Sequence, residues 1–230
     1  MKIGGMQKLS MVDYPGHTCA AIFTIGCNFR CGYCHNPELV LPEKYLDEIP
    51  TEDVLEFLKS RVGLLEGVAI SGGEPTLQKD LPEFIRKCKA MGFLVKLDSN
   101  GSNSEMLAEM ISEGLLDFIA MDIKGPLGKY AEIMGWEIDT RKIARSVELI
   151  RNSGVAHEFR TTIVRSQLSV ADFEEVGKLV AGADRYALQH FLPSENLNDP
   201  SFVHEKTMSE AEFEQVRRIM MRYVKECVVH

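Results

Sequence analysis

Three cysteines, Cys27, Cys31 and Cys34, stand in a C-x3-C-x2-C spacing on a stretch with loop character. A short apolar run, Ala20 to Ile25, precedes them, and Gly26 ends it. Such a loop can curl so that three thiolates converge on one small cluster. A [4Fe–4S] cube normally takes four cysteines. Three leave one iron without a protein ligand, and an open position on a metal is where chemistry occurs. The same residues also suit a zinc site, or three unconnected thiols. The remaining cysteines complete no obvious set. Cys19 lies eight residues before Cys27, and the strand between them should carry it away. Cys88 and Cys227 fall in segments with helical patterning and read as buried small side chains.

Three more polar clusters follow short apolar runs. Gly72-Gly73-Glu74-Pro75 allows close backbone approach to a ligand, and Glu74 can accept from an ammonium group. Asp98-Ser99-Asn100-Gly101 offers a carboxylate and a hydroxyl, and is also good turn chemistry. Asp122 and Lys124 alternate on one strand and so share a face. Opposite charges on an inward face are costly to desolvate without a purpose, although a rim ion pair fits the same pattern. Arg160 and the pair Gln189-His190 lie in two further runs. Arg160 reads as a ligand to a carboxylate or as an external salt bridge. Of Gln189 and His190, one should face inward and the other outward.

The elements that must position these residues alternate in type. Apolar runs at 20–25, 67–71, 93–98, 117–122, 158–164 and 186–191 read as strands. Helical patterns separate them, with Thr51, Asp80 and Ser169 as expected N-caps and a helix over 140–152 closed by Ser153-Gly154. Ser209 opens a C-terminal helix after a loop over 192–207 rich in Pro, Asn and Asp. Alternating βα units predict a parallel sheet with its ligands at the carboxyl ends of the strands. Six units suit a partial, open (β/α)6 barrel, preceded by a short N-terminal strand and turn. A flat doubly wound sheet fits the same count, but no G-x-G-x-x-G turn supports it.

The chain of 230 residues suits one domain over 1–230, with a core at about 18–191. A net charge of −8 argues against a nucleic-acid partner. No apolar run spans a bilayer, and Met1-Lys2-Ile3-Gly4-Gly5 lacks a signal-peptide core. Clustered and scattered cysteines without a disulfide framework suit a cytoplasmic protein.

The cysteine motif resembles the signature of the radical S-adenosylmethionine (SAM) enzymes, and Tyr33 stands where that family places an aromatic residue. The order Asp13-Tyr14-Pro15-Gly16, cysteine loop with His35-Asn36, Gly72-Gly73-Glu74-Pro75, Asp98-Ser99-Asn100-Gly101 and Asp122-Ile123-Lys124 resembles the glycyl-radical-enzyme activases over about 8–190. Within them the chain is most similar to the activating proteins of anaerobic ribonucleoside-triphosphate reductase, being short and lacking a cysteine-bearing insert. The resemblance implies a [4Fe–4S] cluster on Cys27, Cys31 and Cys34, with SAM on the fourth iron. It implies that Tyr33 lies against the adenine, that Gly72 to Pro75 hold the SAM amino group, and that Asp98, Ser99 and Asn100 bond its ribose. It places Asp122 and Lys124 beside SAM, near the radical's target, with Lys124 also a SAM contact; from their strand positions, Arg160, Gln189 and His190 are further candidate SAM contacts. The implied activity is reductive cleavage of SAM and removal of hydrogen from a glycine of a partner enzyme. Flavodoxin or ferredoxin would supply the electron. A radical SAM enzyme acting on a small molecule, such as 7-carboxy-7-deazaguanine synthase, and a non-catalytic iron–sulfur carrier are the alternatives.

Overall fold

Side chains on the parallel strands alternate between two environments, and this alternation separates the core from the site. The computed structural model describes residues 1–230. Eight strands form one curled sheet in sequence order: β1 (Ile3–Ser10), β2 (Cys19–Thr24), β3 (Gly67–Gly72), β4 (Leu94–Ser99), β5 (Phe118–Asp122), β6 (Ala156–Ile163), β7 (Arg185–His190) and β8 (Glu226–Val229). β1 pairs antiparallel with β2, and every later pair is parallel. The outward residues Ile22, Ile70, Leu97 and Ile119 sit in one row and are fully buried under the helices. The inward residues are small or polar. Ala21, Ala69 and Lys96 share one row, and Asp122, Arg160 and Ala187 another. Tyr14 plugs the floor, packed with Cys19, Ala21 and Ala69.

Helices cover the outer face: α1 (Pro37–Val40), α2 (Thr51–Lys59), α3 (Leu81–Ala90), α4 (Ser104–Ser112), α5 (Tyr130–Met134), α6 (Thr140–Asn152), α7 (Asp172–Leu179) and α8 (Glu210–Met220). The six units β2 to β7 form the expected partial barrel. Several local expectations change. Thr51 is the first residue of α2, not its cap, and its hydroxyl donates to the Met1 carbonyl at 3.2 Å. Asp80 precedes α3 but makes no side-chain cap; its carboxylate takes the N-terminal ammonium. Ser169 lies ahead of α7, where its hydroxyl donates to Asp172 at 2.8 Å. Ser209 does cap α8, in a reciprocal capping box with Glu212. Cys227 lies on β8 rather than a helix, so the C-terminal segment adds a strand to the sheet after α8.

Candidate active site

The cysteine loop runs from the end of β2 to α1, and four neighbours hold it in place. From the turn after β3, Glu74 N donates to the Gly26 carbonyl at 2.8 Å. After β4, Asn100 Nδ2 donates to Asn28 Oδ1, and Asn28 Nδ2 to Ser102 Oγ, both at 2.9 Å. From α5, the Met134 carbonyl accepts from Arg30 N at 2.9 Å. From the segment after β7, Asn198 N and Asp199 N donate to the Cys34 and Gly32 carbonyls, both at 3.0 Å. Arg30 Nη1 ties the loop to itself through the Cys27 and Phe29 carbonyls. Loop positions fixed this way keep their ligand atoms in place without help from a bound group. Burial pushes the Cys27 thiol up to about 12, and the Cys31 and Cys34 thiols also upward.

The turn after β3 approaches this loop so closely that only glycine fits. Gly72 has φ +119°, and a Cβ there would meet Thr24 N at 2.3 Å. A Cβ on Gly73 would lie 2.2 Å from the Gly26 carbonyl oxygen. Backbone cannot yield as a side-chain tip can, so Gly73→Ala should displace the cysteine loop. Expected results are a clearly lowered melting temperature and poor iron incorporation after anaerobic reconstitution.

Glu74 is fully buried in the wall between β3 and β4. Its Oε1 accepts from Thr76 N at 3.1 Å, from the Thr76 hydroxyl and from Ser99 Oγ at 2.8 Å; its Oε2 accepts from Asn100 N at 2.6 Å. Burial pushes its carboxyl up, against the pull of these donors. A carboxylate has about four acceptor positions, so little capacity is left for a ligand. In Glu74→Gln, the new amide N–H would face the Asn100 or Thr76 N–H. An unsatisfied buried group costs about 1–3 kcal/mol, or several degrees of melting temperature at ~2–4 °C per kcal/mol. Thermal unfolding of the variant checks this.

Across the cavity floor, five charges alternate in sign. Lys96 Nζ contacts Asp98, and Asp98 Oδ2 accepts from Arg160 Nη2 at 3.2 Å. Arg160 Nε donates to Asp122 Oδ1 at 2.5 Å, and Lys124 Nζ donates to Asp122 Oδ2 at 3.0 Å. Burial would raise both acids, but Arg160, with Lys96 for Asp98 and Lys124 for Asp122, holds them below the usual carboxylate range. Burial would lower Lys124, yet Asp122 keeps it above its ordinary value. Depressed acids stabilise the fold above their unfolded values, about 3.9, and this is lost as pH falls further. Acid unfolding should therefore steepen below about pH 4. Arg160→Met should cost stability at neutral pH and flatten that acid limb, as scanning calorimetry across pH would show.

One cavity of about 420 Å³ joins these parts. Cys27, Cys31, Tyr33 and Cys34 line one side, and Gly72, Gly73, Glu74, Asp98, Ser99 and Asn100 another. Asp122, Lys124, Arg160, Gln189 and His190 complete it. Pro75 stands apart: it is buried and opens a short 3-10 turn. Tyr33 packs against Phe191 and Phe202, with Lys124 Nζ 5.7 Å from its ring centroid. The Gln189 side chain meets the inward Thr162 at 3.4 Å, whereas His190 stacks on Phe213 of α8. His190 reaches only the cavity's rim from the outer face. Arg160 points inward, so it is no external salt bridge. Sequence reasoning missed Lys96, Thr162 and Asn198. Lys96 and Thr162 carried a signal, since each is two residues from an inward polar partner on its strand; Asn198 carried none.

The Radical SAM superfamily profile matches residues 21–180. Over 99% of its length the chain is 36% identical to a Methanocaldococcus jannaschii protein named as a glycyl-radical enzyme activating enzyme, covering 95% of that protein. The chain belongs to the glycyl-radical-enzyme activating group of the radical SAM superfamily. It is also 24% identical to the pyruvate formate-lyase-activating enzyme of Clostridium pasteurianum, over 98% of this chain and 97% of that one. The crystal structure of Streptococcus suis SuiB bound to S-adenosylmethionine superposes with a TM-score of 0.70 at 15% identity. That match covers 90% of this chain and 48% of SuiB, so the chain spans about half of that neighbour's length. The radical SAM partial barrel is thus this chain's fold.

The family's cofactors are a [4Fe–4S] cluster and SAM, and the donor set fits them. Cys27, Cys31 and Cys34 face one cavity and sense each other's charge. No three such side chains close on a single metal-ion position. A mononuclear zinc site needs its ligands about 2.0–2.3 Å from one ion, whereas a cube gives each cysteine its own iron and keeps the thiolates further apart. The cavity also extends well beyond the three thiols, with polar groups on every wall.

Proposed function

We propose that this chain removes a hydrogen atom from a glycine Cα of anaerobic ribonucleoside-triphosphate reductase. The observation that carries hydrogen transfer is the Asp98–Arg160–Asp122–Lys124 network, which shares one cavity with the three thiols. When bound, the reduced cluster and SAM supply a carbon-centred radical able to take hydrogen from an unactivated C–H bond. The chain's own residues do the rest. Cys27, Cys31 and Cys34 would hold the cluster and, being three, would leave it open to SAM. The Gly72-Gly73 turn brings backbone to the amino group of SAM, and Glu74 fixes Ser99 and Asn100 beside it. Asp98, Ser99 and Asn100 would face the ribose, and Tyr33 would wall the base. Arg160 and Lys124 set the cationic side of the floor, where a carboxylate is neutralised. A low-potential carrier, flavodoxin or ferredoxin, delivers the electron.

The choice of reductase rests on a cysteine inventory without a second cluster motif. A small substrate would need a closed pocket of its own. The test is anaerobic incubation of the reconstituted protein with SAM, a reductant and the candidate reductase, read by electron paramagnetic resonance. A glycyl radical doublet is expected on the reductase. A doublet on a different glycyl radical enzyme alone would keep the reaction and replace the partner. SAM consumption driven only by a small molecule would replace the reaction.

A further inference from the structure

Lys96 is a buried charge with no task in the hydrogen transfer. It stands on β4, one inward row beneath Asp98, in line with Ala69 and Ala21, where Tyr14 plugs the barrel floor. It is 4% exposed, and Asp98 is its only polar partner. Lysine is seldom buried this far, and an apolar side chain at such a place often leaves a protein as stable or more so. Pairing alone does not call for Lys96 either, because Arg160 already supplies Asp98 with a cation.

The second cation changes what Asp98 can present. Lys96 Nζ holds Oδ1 from beneath, and Arg160 Nη2 holds Oδ2 at 3.2 Å from β6, two strands away. With one oxygen tied on each side, the carboxylate cannot turn about its Cβ–Cγ bond. A carboxylate has about four acceptor positions. The cations take two, and the others open on the cavity that Asp98 lines. Glu74, on the neighbouring turn, has its positions filled by the chain itself. Two fixed acceptors side by side match a pair of vicinal hydroxyls, and the ribose is the part of SAM that carries them.

We propose that Lys96 is a positioning residue, which locks Asp98 from the barrel floor so that its two open acceptors meet the ribose diol. The inference rests on the ribose-facing role proposed for Asp98, and not on which partner receives the radical. Asp122 is held in a similar way by Arg160 and Lys124, but Lys124 stands over the Tyr33 ring, on the cysteine side of the cavity. The two ends of the ladder therefore serve different groups.

The test is competition binding to the anaerobically reconstituted protein, with S-adenosylhomocysteine and its 2′-deoxy and 3′-deoxy ribose analogues as probes. Wild type should prefer the full ribose over each analogue by about tenfold or more, since a site built to bond a hydroxyl rejects the analogue lacking it. Lys96→Met keeps the length and removes the charge. It should bring the three affinities within about threefold, because a carboxylate free to turn no longer holds both hydroxyls in place. Lys96→Gln is one bond shorter and uncharged, so it serves if the methionine variant folds poorly, and it should narrow the preference likewise. Lys124→Met takes the same charge from the other end of the ladder and should lower the affinity for all three probes alike, keeping the preference. A full preference in a folded Lys96 variant would overturn the inference and leave Asp98 facing the ribose. So would an equal narrowing in Lys124→Met, which would make the effect one of charge and not of position. No preference in wild type would instead remove the ribose contact of Asp98, and the inference with it.

Discussion

Replacing any one of Cys27, Cys31 or Cys34 by Ala should abolish the visible iron–sulfur absorption after anaerobic reconstitution, whereas Cys19→Ala, Cys88→Ala and Cys227→Ala should keep it. The contrast follows from position. The first three line one cavity on one loop. Cys19 begins β2 at the opposite end of the barrel and packs with Tyr14, Ala21 and Ala69 around the floor. Cys88 lies on the buried face of α3, and Cys227 lies on β8. With three ligands there is no redundancy: losing one leaves two irons without protein, and a cluster held by two thiolates does not persist. The buried cysteines act as small apolar groups, and their loss should show as a slightly lower melting temperature. Fold loss is excluded as the cause if far-ultraviolet circular dichroism of the Cys27, Cys31 and Cys34 variants matches wild type. Loss of the cluster in Cys19→Ala would refute the three-ligand arrangement.

Much of this site could be read from the chain because the barrel converts strand ends into one place. Each apolar run stops at polar residues, and a parallel sheet sends all those ends to one side. The groups at Gly72, Asp98 and Asp122 needed only that rule to converge. Parity carried the inner wall. Asp122 and Lys124 are two apart, as are Lys96 and Asp98, and Arg160 and Thr162. Applied to every strand, the period of two would have found Lys96 and Thr162 and turned Arg160 inward. Gln189 and His190 show its limit at a strand's last residue. His190 faces the outer layer and Phe213, yet still reaches the cavity's edge.

What stayed hidden depends on contacts far apart in sequence. Beside the Asn198 Nδ2 bond to the Cys31 carbonyl, segment 192–207 docks on the cysteine loop through backbone hydrogen bonds to the carbonyls of Gly32 and Cys34. Such bonds ask almost nothing of side-chain identity, so they leave no motif. β8 is four residues long and takes its partner, β7, from across α8. A short apolar run beside a helix carries too little periodicity to be told from the helix itself. Asp80 illustrates a third cause. Its pattern as a helix cap is good, but the N-terminal ammonium competes for the same carboxylate and wins.

Lys124→Met and Asp122→Asn should separate SAM cleavage from radical transfer. Lys124 is the free end of the charge ladder, bonded only to Asp122 and set above the Tyr33 ring. Methionine keeps its length and removes its charge, and Asp122 still has Arg160 at 2.5 Å. The fold and the cluster loop should therefore survive. In Asp122→Asn the shape is kept, but the new amide N–H faces either the Lys124 ammonium or the Arg160 guanidinium. Breaking a buried pair in this way costs about 3–5 kcal/mol, so this variant should also melt at a lower temperature. Neither residue touches the cysteine thiols by a hydrogen bond, and cluster absorption should be unchanged in both. Hydrogen transfer is more demanding, because a misplacement of about 1 Å can cost on the order of 100-fold in rate. Expected in one anaerobic reaction with the reductase is continued release of 5′-deoxyadenosine, with glycyl radical reduced by about that factor. Lys124→Met is the cleaner case, since its stability should stay near wild type. Full glycyl radical yield from Lys124→Met would show that the ladder's end is an ion pair of the cavity rim without a part in transfer. Equal loss of both products would move Lys124 from transfer to SAM binding, which a binding titration of the same protein would show directly.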